Sequence, residues 1–397
     1  MHNARNTSVD FQKVFTQNAT KNSKHLVCLS RNSSLENIFE CFIPEPEEWV
    51  LVAAYVLTFV VGVLGNILVC FAVCRNKEMR TVTNIFMVNL AVADLNVILV
   101  LLPSSLLVDV TETWLLGKAM CKISIALGTT CIAVSILTLC AISLERWYAI
   151  CRPLSFHSNI KRARITIAAI WAVSIGVALP ELLASTLIPY RPDTVFRTMC
   201  YPALWKRRTV ANFQICLMMF FYFLPLCLIA CLYTHIAVVL WRKRVPGTSE
   251  MRSNFRSAQI SKRASTDSDN RVSSRRKAVK MLVVIVVVFA MCFLPNHTLN
   301  ILRYLEQLKK VPNLRMFALI AHWCTFFNSC INPIIYNFMS DKFRKEFRVA
   351  LSLCRHCSRV RTPQGSMVRY QMTAAYTRNL TVKLSNNETA ITKRNSS

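Results

Sequence analysis

Six strongly polar side chains fall inside long apolar stretches of this sequence, at positions that lipid would surround. They are Asn66, Asp94, Ser135, Asn328, Ser329 and Asn332. A polar group at membrane depth is costly unless it is paired or hydrated, so each is a candidate functional residue. A single aspartate among amides and hydroxyls could bind a small hydrated cation or accept a proton. The same residues could instead form a hydrogen-bond network that holds helices together.

A charged pair and three prolines are candidates for conformational change. Glu145 and Arg146 are adjacent at the end of one apolar stretch. Opposite charges there can pair, which lowers the cost of holding an arginine at a membrane edge, although the pair could also be a simple anchor. Pro225, Pro295 and Pro333 lie inside apolar stretches, where each removes a helix hydrogen bond and permits a kink. We therefore predict three bendable helices.

The apolar stretches lack the residues that other membrane activities need. No lysine occurs between Met316 and Phe338, which excludes a retinal Schiff base there. One aspartate and scattered cysteines make neither a nucleophile–base pair nor a metal cluster, so we expect no enzyme and no cofactor apart from the small cation. The repeated halves with broken helices that are typical of transporters are not visible.

The elements that carry these residues are seven apolar runs. The chain has 397 residues, of which 53% are hydrophobic and 17% are charged. About 20 consecutive apolar residues cross a hydrocarbon core as a helix, and backbone groups in lipid must bond within their own segment. The runs are Trp49–Val73, Asn84–Val108, Ala119–Cys151, Ile165–Ile188, Val210–Leu240, Ala278–Tyr304 and Arg315–Phe338. The sequence predicts an all-α membrane protein, a seven-transmembrane helix bundle.

Basic residues set the predicted orientation. Arginine and lysine are dense after the first, third and fifth runs, which places those loops in the cytoplasm and the N-terminus outside. The net charge of +28 is then mainly the result of basic cytoplasmic segments, with some attraction to anionic lipid, and no nucleic-acid partner is expected. We expect a multi-pass protein of the plasma membrane. Glycosylation sequons at Asn6, Asn18 and Asn32 agree with an extracellular N-terminus.

Polar tails and one amphipathic helix complete the predicted organisation. The segments are an extracellular glycosylated tail at 1–48, the seven-transmembrane domain at 49–338 with a third cytoplasmic loop at about 241–277, an amphipathic membrane-surface helix at 339–353, and a disordered cytoplasmic tail at 354–397. The helix is predicted because Phe343 and Phe347 repeat at helical spacing among basic residues. Cys354 and Cys357 follow it and are candidates for palmitoylation.

Cysteines near the outer ends of the runs indicate cross-links. Cys121 begins the third run and Cys200 lies in the loop after the fourth, both on the oxidising side, so we predict a disulfide between them. Cys28 and Cys41 could form a second bridge, but sequence alone does not fix connectivity.

Taken in order, the motifs resemble those of class A, rhodopsin-like G-protein-coupled receptors. The matching positions are Gly65 and Asn66, Leu90 to Asp94, Cys121 and Cys200, Glu145 to Trp147, Trp171, Pro225 with Tyr233, Phe289 to Pro295, and Asn332 to Tyr336. The resemblance covers Trp49 to about Cys357. It implies a receptor whose extracellular ligand activates a heterotrimeric G protein, with arrestin and receptor kinases as further partners.

Several segments, many of them in loops, resemble orexin receptors and the related invertebrate allatotropin receptors more closely. They are Glu48–Leu51, Val108–Trp114, Arg146–Cys151, Val245–Ser249 and Pro333–Phe338. Shared folding does not dictate loop residues, so these segments point to a subfamily. The resemblance implies an orexin-like (hypocretin-like) neuropeptide and coupling through the calcium-mobilising Gq class. The alternative is an allatotropin-type or RFamide-type peptide.

The resemblance also implies a ligand cavity in the outer half of the bundle. Its expected residues are Asp109, Gly128, Glu181, Phe213, Tyr222, Asn300 and His322. Gly128 and Glu181 replace glutamines of orexin-like receptors, so we expect a somewhat different peptide. Glycine at position 128 also excludes an amine receptor, because amine receptors of this class carry an aspartate there.

Two further sets of residues follow from the resemblance. A sodium site that favours the inactive packing is implied at Asp94, Ser135, Asn328, Ser329 and Asn332. An activation switch is implied at Glu145, Arg146, Tyr233, Ile136, Pro225, Phe289, Phe293, Pro295, Asn332, Pro333 and Tyr336. On activation, Tyr233 and Tyr336 should approach Arg146 and open a groove for a helix of the G protein.

Overall fold

Seven long apolar helices form the body of the protein, as the sequence predicts. The computed structural model describes residues 48–111, 113–153, 159–189, 198–242, 255–304 and 313–360. The helices in these ranges that are long and apolar enough to cross a membrane, called the first to seventh spans below, are Trp49–Arg75, Val82–Thr111, Gly117–Cys151, Ile160–Ala184, Arg207–Leu240, Arg276–Arg303 and Leu314–Met339. A unit that ends at Phe347 contains all seven, and a second unit begins at Arg348. The seven-helix prediction is confirmed.

The second and fifth spans each contain one wide π-helical turn just before a proline. These turns are Val97–Leu101 and Met219–Phe223. The α-helices on either side are Val82–Asn96 and Leu102–Thr111 in the second span, and Arg207–Met218 and Leu224–Arg242 in the fifth. Pro103 and Pro225 therefore fall in the first turn of the following α-helix, where the missing proline N–H is tolerated. Pro295 and Pro333 lie inside uninterrupted α-helices.

The fourth span ends earlier than predicted, because the chain turns into a hairpin. Its helix stops at Ala184, where Ser185 is extended and donates its hydroxyl to the Glu181 carbonyl at 2.6 Å. Lys122 of the third span donates to the Leu182 carbonyl at 3.0 Å and so satisfies another helix-end acceptor. Strand β1, Thr186–Pro189, then pairs antiparallel with β2, Thr198–Tyr201. The predicted helical run to Ile188 was wrong beyond Ala184.

The hairpin is fixed over one end of the bundle by the predicted disulfide. Cys200 of β2 is bonded to Cys121, which is buried at the start of the third span. The Trp114 N–H donates to the Thr198 carbonyl at 2.8 Å, and the Thr198 hydroxyl donates to the Trp114 carbonyl at 2.7 Å. We call this end of the bundle the disulfide end and the opposite end the Arg146 end.

The first and seventh spans approach closely at a glycine. A Cβ on Gly65 would lie 2.8 Å from the Cβ of Pro333, which is closer than real Cβ contacts allow. Next to it, the Asn66 amide donates to the Ser329 carbonyl at 2.8 Å. Pro333 has no N–H to donate to the Ser329 carbonyl four residues earlier in the helix. The bond from Asn66 satisfies this acceptor instead.

Two helices differ in extent from the sequence prediction. The helix of the sixth span, Phe255–Tyr304, begins inside the segment predicted as the third cytoplasmic loop. The final helix, Asp341–Val360, begins close to the predicted position and continues beyond it. Phe343 of this helix stacks on Tyr336 with ring centroids 5.4 Å apart, so its apolar face is covered by the end of the seventh span.

Candidate ligand cavity and switch region

A cavity of about 540 Å³ lies at the disulfide end, between the second, third, sixth and seventh spans. All four residues of β2 line it. The third span contributes one helical face, made up of Ser124, Ile125, Gly128, Cys131, Ile132 and Ser135. At 1.5 Å of rise per residue this face is about 16 Å long, so the cavity reaches deep into the bundle.

Asp109 is the acidic centre of the cavity wall. The Tyr55 hydroxyl donates to Asp109 Oδ2 at 2.7 Å, and the Ser105 hydroxyl lies 3.5 Å from the same oxygen. His322 Nδ1 lies 3.0 Å from Asp109 Oδ1. The carboxyl group is almost fully buried, whereas a third of the His322 side chain is exposed. One carboxylate therefore connects the first, second and seventh spans and remains next to the open cavity.

Gly128 lines the cavity halfway along the face of the third span. A Cβ placed on it would have only Leu101 Cδ1, at 3.8 Å, within 4 Å among the described residues. The absent side chain therefore leaves open volume rather than permitting a tight helix contact.

Glu181 lies outside the cavity lining, in contrast to the expectation that it contacts ligand. It is buried, and its Oε1 accepts a bond from the Gln214 amide at 2.6 Å, while its Oε2 accepts one from the Thr129 hydroxyl. Both carboxyl oxygens are thus engaged by the third and fifth spans. Satisfying a buried carboxyl group in this way offsets much of its desolvation cost.

The remaining predicted ligand residues are also absent from the cavity lining. Phe213 packs edge-on against Trp205 with centroids 5.2 Å apart. Tyr222 is buried and donates to the Ala290 carbonyl at 2.7 Å. Asn300 is half-buried in the sixth span. The structure therefore brings Asp109, Gly128 and His322 together, and it places Glu181, Phe213, Tyr222 and Asn300 outside the lining.

Sequence reasoning missed Tyr55, Tyr201, Arg303 and Arg315, of which the last three line the cavity. The hydroxyl of Tyr55 in an otherwise apolar run was a usable signal. Arg303 and Arg315 gave no comparable signal of a ligand site, because basic residues at span ends more commonly anchor a helix in the membrane interface. Burial raises the pKa of the Tyr201 phenol above its ordinary value.

The floor of the cavity is polar. Ser135, Asn328 and Ser329 line it, and the buried Asp94 lies next to them, with Asn332 donating to its Oδ2 at 2.9 Å. Asp94 Oδ1 is buried without a hydrogen-bond partner among the described residues. One carboxylate with hydroxyl and amide oxygens suits a small hard cation. Across the described ranges, no cluster of three or more His, Cys, Asp and Glu side chains could hold another metal ion.

Aromatic rings connect the cavity to the core. Phe293 lines the cavity and packs on Phe289 with centroids 4.5 Å apart. Both rings belong to the main buried cluster, which also contains Ile136 and Tyr222. Pro225 is buried in the fifth span, and Pro295 follows Phe293 in the sixth. A displacement of Phe293 would therefore be felt directly by the packing of these helices.

At the Arg146 end the predicted switch residues are held in closed contacts. Arg146 Nε lies 2.8 Å from Glu145 Oε2. The Thr83 hydroxyl donates to the same carboxylate oxygen at 2.7 Å and accepts a bond from the Arg146 guanidinium. Ser143 donates to the Tyr233 hydroxyl at 3.2 Å, and Tyr336 is buried against Phe343. The second span thus takes part in holding the charged pair.

Some predicted modification sites lie outside the residues or side chains that the structure describes. Asn6, Asn18 and Asn32 lie outside the described residues, as do Cys28 and Cys41. The side chains of Cys354 and Cys357 also lie outside the described part of the final helix. Glycosylation and palmitoylation therefore remain predictions.

Comparison with known proteins identifies the family. Residues 65–336 match the seven-transmembrane receptor family of the rhodopsin type. A QRFP-like peptide receptor of Branchiostoma floridae is 34% identical over 303 residues, which is 75% of this chain and 76% of the relative. The matched segment contains the cavity, the polar floor and the charged pair. This chain therefore belongs to the rhodopsin family, the class A G-protein-coupled receptors, and it is a receptor rather than an enzyme.

Proposed function

We propose that this protein is a plasma-membrane receptor for an extracellular peptide of the RFamide type. The similarity to a QRFP-like peptide receptor carries this proposal. It favours the RFamide-type alternative over the orexin-like ligand suggested by the loop segments. The open cavity at the disulfide end supports it, because a long cleft lined mainly by apolar groups and a few polar ones suits a peptide end.

The cavity offers both signs of charge to such a ligand. Asp109 and His322 line the cavity next to each other. Arg303 and Arg315 line it from the ends of the sixth and seventh spans. A basic side chain of the peptide would pair with Asp109. Neutral backbone and amide groups would bond to the floor, where serine and asparagine side chains can donate and accept.

Signal transfer would pass through the aromatic rings that connect the cavity to the core. A ligand that presses on Phe293 changes its packing against Phe289 and the buried cluster around Ile136. It shifts the conformational equilibrium only if it binds one arrangement better than the other. At the Arg146 end, the favoured arrangement would release Arg146 from Glu145 and Thr83, and the freed surface would bind the G protein.

A sodium ion is the natural modulator of this change. Asp94, Ser135, Asn328, Ser329 and Asn332 would hold it, with the unpartnered Asp94 Oδ1 as its principal ligand. Its positive charge would compensate a buried carboxylate in the inactive packing. By linkage, sodium would weaken agonist binding.

The remaining features follow the predicted orientation. The N-terminus would lie outside with glycans at Asn6, Asn18 and Asn32. The Arg146 end would face the cytoplasm, where a Gq-class protein, receptor kinases and arrestin would act, and acylated Cys354 and Cys357 would bind lipid.

A calcium-flux screen of cells that express the full chain tests the proposal. The panel contains amidated RFamide peptides, orexins and allatotropins, with the same cells lacking the receptor as control. We expect the strongest response to RFamide peptides. A response to orexins alone would restore the orexin-like ligand, and silence to every peptide, despite surface expression, would refute a peptide receptor of this kind.

A further inference from the structure

Gly128 creates a gap in the face of the third span that lines the cavity. Ser124 lies one turn above it and Cys131 and Ile132 one turn below, all lining the same cavity. A side chain at position 128 would point into this space, since Leu101 Cδ1 at 3.8 Å is the one described heavy atom within 4 Å of its Cβ. Any larger residue would occupy the middle of the cavity.

The cavity continues past this gap. Ser135 lies about 10 Å beyond Gly128 on the same helix face, by the rise of an α-helix. Asn328 and Ser329 line the same deep end from the seventh span. An extended peptide advances roughly 3.3 Å per residue, so about five residues would reach from the mouth at Ser124 to the floor.

The walls beside the gap are apolar. Leu101 and Val97 of the second span and Phe326 of the seventh all line the cavity. Val97 and Phe326 belong to a buried cluster with Cys131 and Tyr55, and Leu101 packs against it. A group held beside Gly128 is therefore surrounded by hydrocarbon, while a group at the floor meets hydroxyls and amides.

We infer that Gly128 sets how deeply the ligand enters: an apolar side chain of the peptide lies beside Leu101 at the level of this glycine, and the last residues of the chain continue past it to Ser135 and Asn328. The inference rests on the proposed peptide-receptor function and specifies its ligand. The end of the peptide must be linear, with an apolar side chain about three extended residues before its terminus, since about 10 Å separate Gly128 from the floor. The terminus must be uncharged, because Asp94 beneath the floor disfavours a carboxylate there.

A labelling experiment tests the passage without any ligand. In a Cys131→Ala background, a cysteine is introduced by Ser135→Cys and treated with methanethiosulfonate ethyltrimethylammonium on intact cells. We expect Ser135→Cys to react, and Gly128→Leu to slow its reaction at least tenfold. Gly176→Leu is the matched control, because Gly176 is exposed in the fourth span with nothing within 4 Å of a Cβ. Surface expression of each variant is measured in parallel, and Gly128→Ala replaces Gly128→Leu if the latter does not reach the surface.

Either of two results would overturn the inference. Labelling of Ser135→Cys at the same rate with and without the side chain at position 128 would show that Gly128 is not the passage. Failure of Ser135→Cys to react in the glycine background would show that the floor is not reached from the mouth. Neither result depends on whether the receptor binds peptides.

Agonist potency gives the second arm. With a peptide active on the wild-type receptor, we expect potency to fall several-fold for Gly128→Ala and at least 100-fold for Gly128→Leu, but to be unchanged for Gly176→Leu. A peptide in which the apolar side chain assigned to the Leu101 level is truncated to alanine should lose less potency on Gly128→Leu than the full peptide does. Equal losses for both peptides would overturn the inference while leaving the peptide-receptor function intact.

Discussion

At the disulfide end of the bundle, charged side chains line an open cavity. At the Arg146 end, by contrast, the acidic and basic side chains pair with each other. Asp109 has partners on the first and seventh spans and still borders a 540 Å³ cavity. Arg146 has Glu145 beside it and Thr83 across from it. One end thus has open volume beside its charged groups, while the other would have to lose contacts before it could bind the proposed G protein. Substitutions at the two ends should therefore have different signatures: lost response at the first, and gained activity at the second.

The largest effect is expected from removing the disulfide at the cavity end. The double variant Cys121→Ser with Cys200→Ser frees β2 from the third span, and loss of a native disulfide typically costs about 2–5 kcal/mol. We expect a lower thermal inactivation temperature in detergent and strongly reduced surface expression. The exposed Cys216→Ser in the fifth span serves as control for cysteine replacement. Unchanged stability of the double variant would mean that the hairpin is held by its other bonds alone.

Asp109→Ala should produce the next largest effect. It removes the acceptor for Tyr55 and His322 and the acidic group of the cavity, and loss of a charged hydrogen-bonding partner costs about 1.5–3 kcal/mol. We expect agonist potency to fall roughly 10- to 150-fold in a calcium assay. Asp109→Asn, which keeps an acceptor oxygen, should lose less. Equal potency of the alanine variant and the wild type would remove Asp109 from the ligand site.

The middle of the bundle links the two ends through the proposed cation. Asp94→Asn removes the charge that sodium would compensate, and allosteric coupling of this kind is typically about 1–3 kcal/mol. In the wild type, replacing sodium by a large organic cation should raise agonist affinity several-fold. In Asp94→Asn the affinity should not respond. A salt response that persists in this variant would place the cation elsewhere.

The smallest effect is expected at the Arg146 end. Thr83→Val removes the hydroxyl that bonds both Glu145 and Arg146, and one hydrogen bond is worth about 0.5–1.5 kcal/mol. We expect ligand-independent inositol phosphate production to rise a few-fold at matched surface expression. Thr83→Ser keeps the hydroxyl and should behave as the wild type. If the valine variant is as quiet as the serine variant, packing rather than the hydroxyl holds the charged pair closed.

The spans were predictable because a single long apolar run in lipid must form a helix. Only then do its backbone N–H and C=O groups all bond within the same segment. The end of the fourth span was not, since Leu187 and Ile188 are apolar in a helix and in a strand alike. What decides between them is pairing with Thr198–Tyr201, a contact far along the chain. The hydrophobic pattern of residues 185–189 does not reveal this pairing partner.

The site was only partly predictable for a related reason. Asp109 and His322 were predicted from the resemblance to orexin receptors, and both line the cavity. Glu181 was predicted in the same way, yet Thr129 and Gln214 bind it outside the cavity lining. Whether a buried polar residue faces a ligand or a neighbouring helix depends on the rotation of each helix about its axis, and motif spacing does not determine that angle.

The wide turn in the second span has a consequence for that angle. A π turn takes up one residue more than the α-helical path, so everything beyond it is rotated by about 100° relative to an uninterrupted helix. Ser105 and Asp109 lie just beyond Val97–Leu101. Because of this rotation, the Asp109 side chain points toward Tyr55 and His322. Deleting a single residue within the turn would rotate this carboxylate by the same angle, away from Tyr55 and His322. The one extra residue of this turn therefore determines which side chains of the following helix face the bundle.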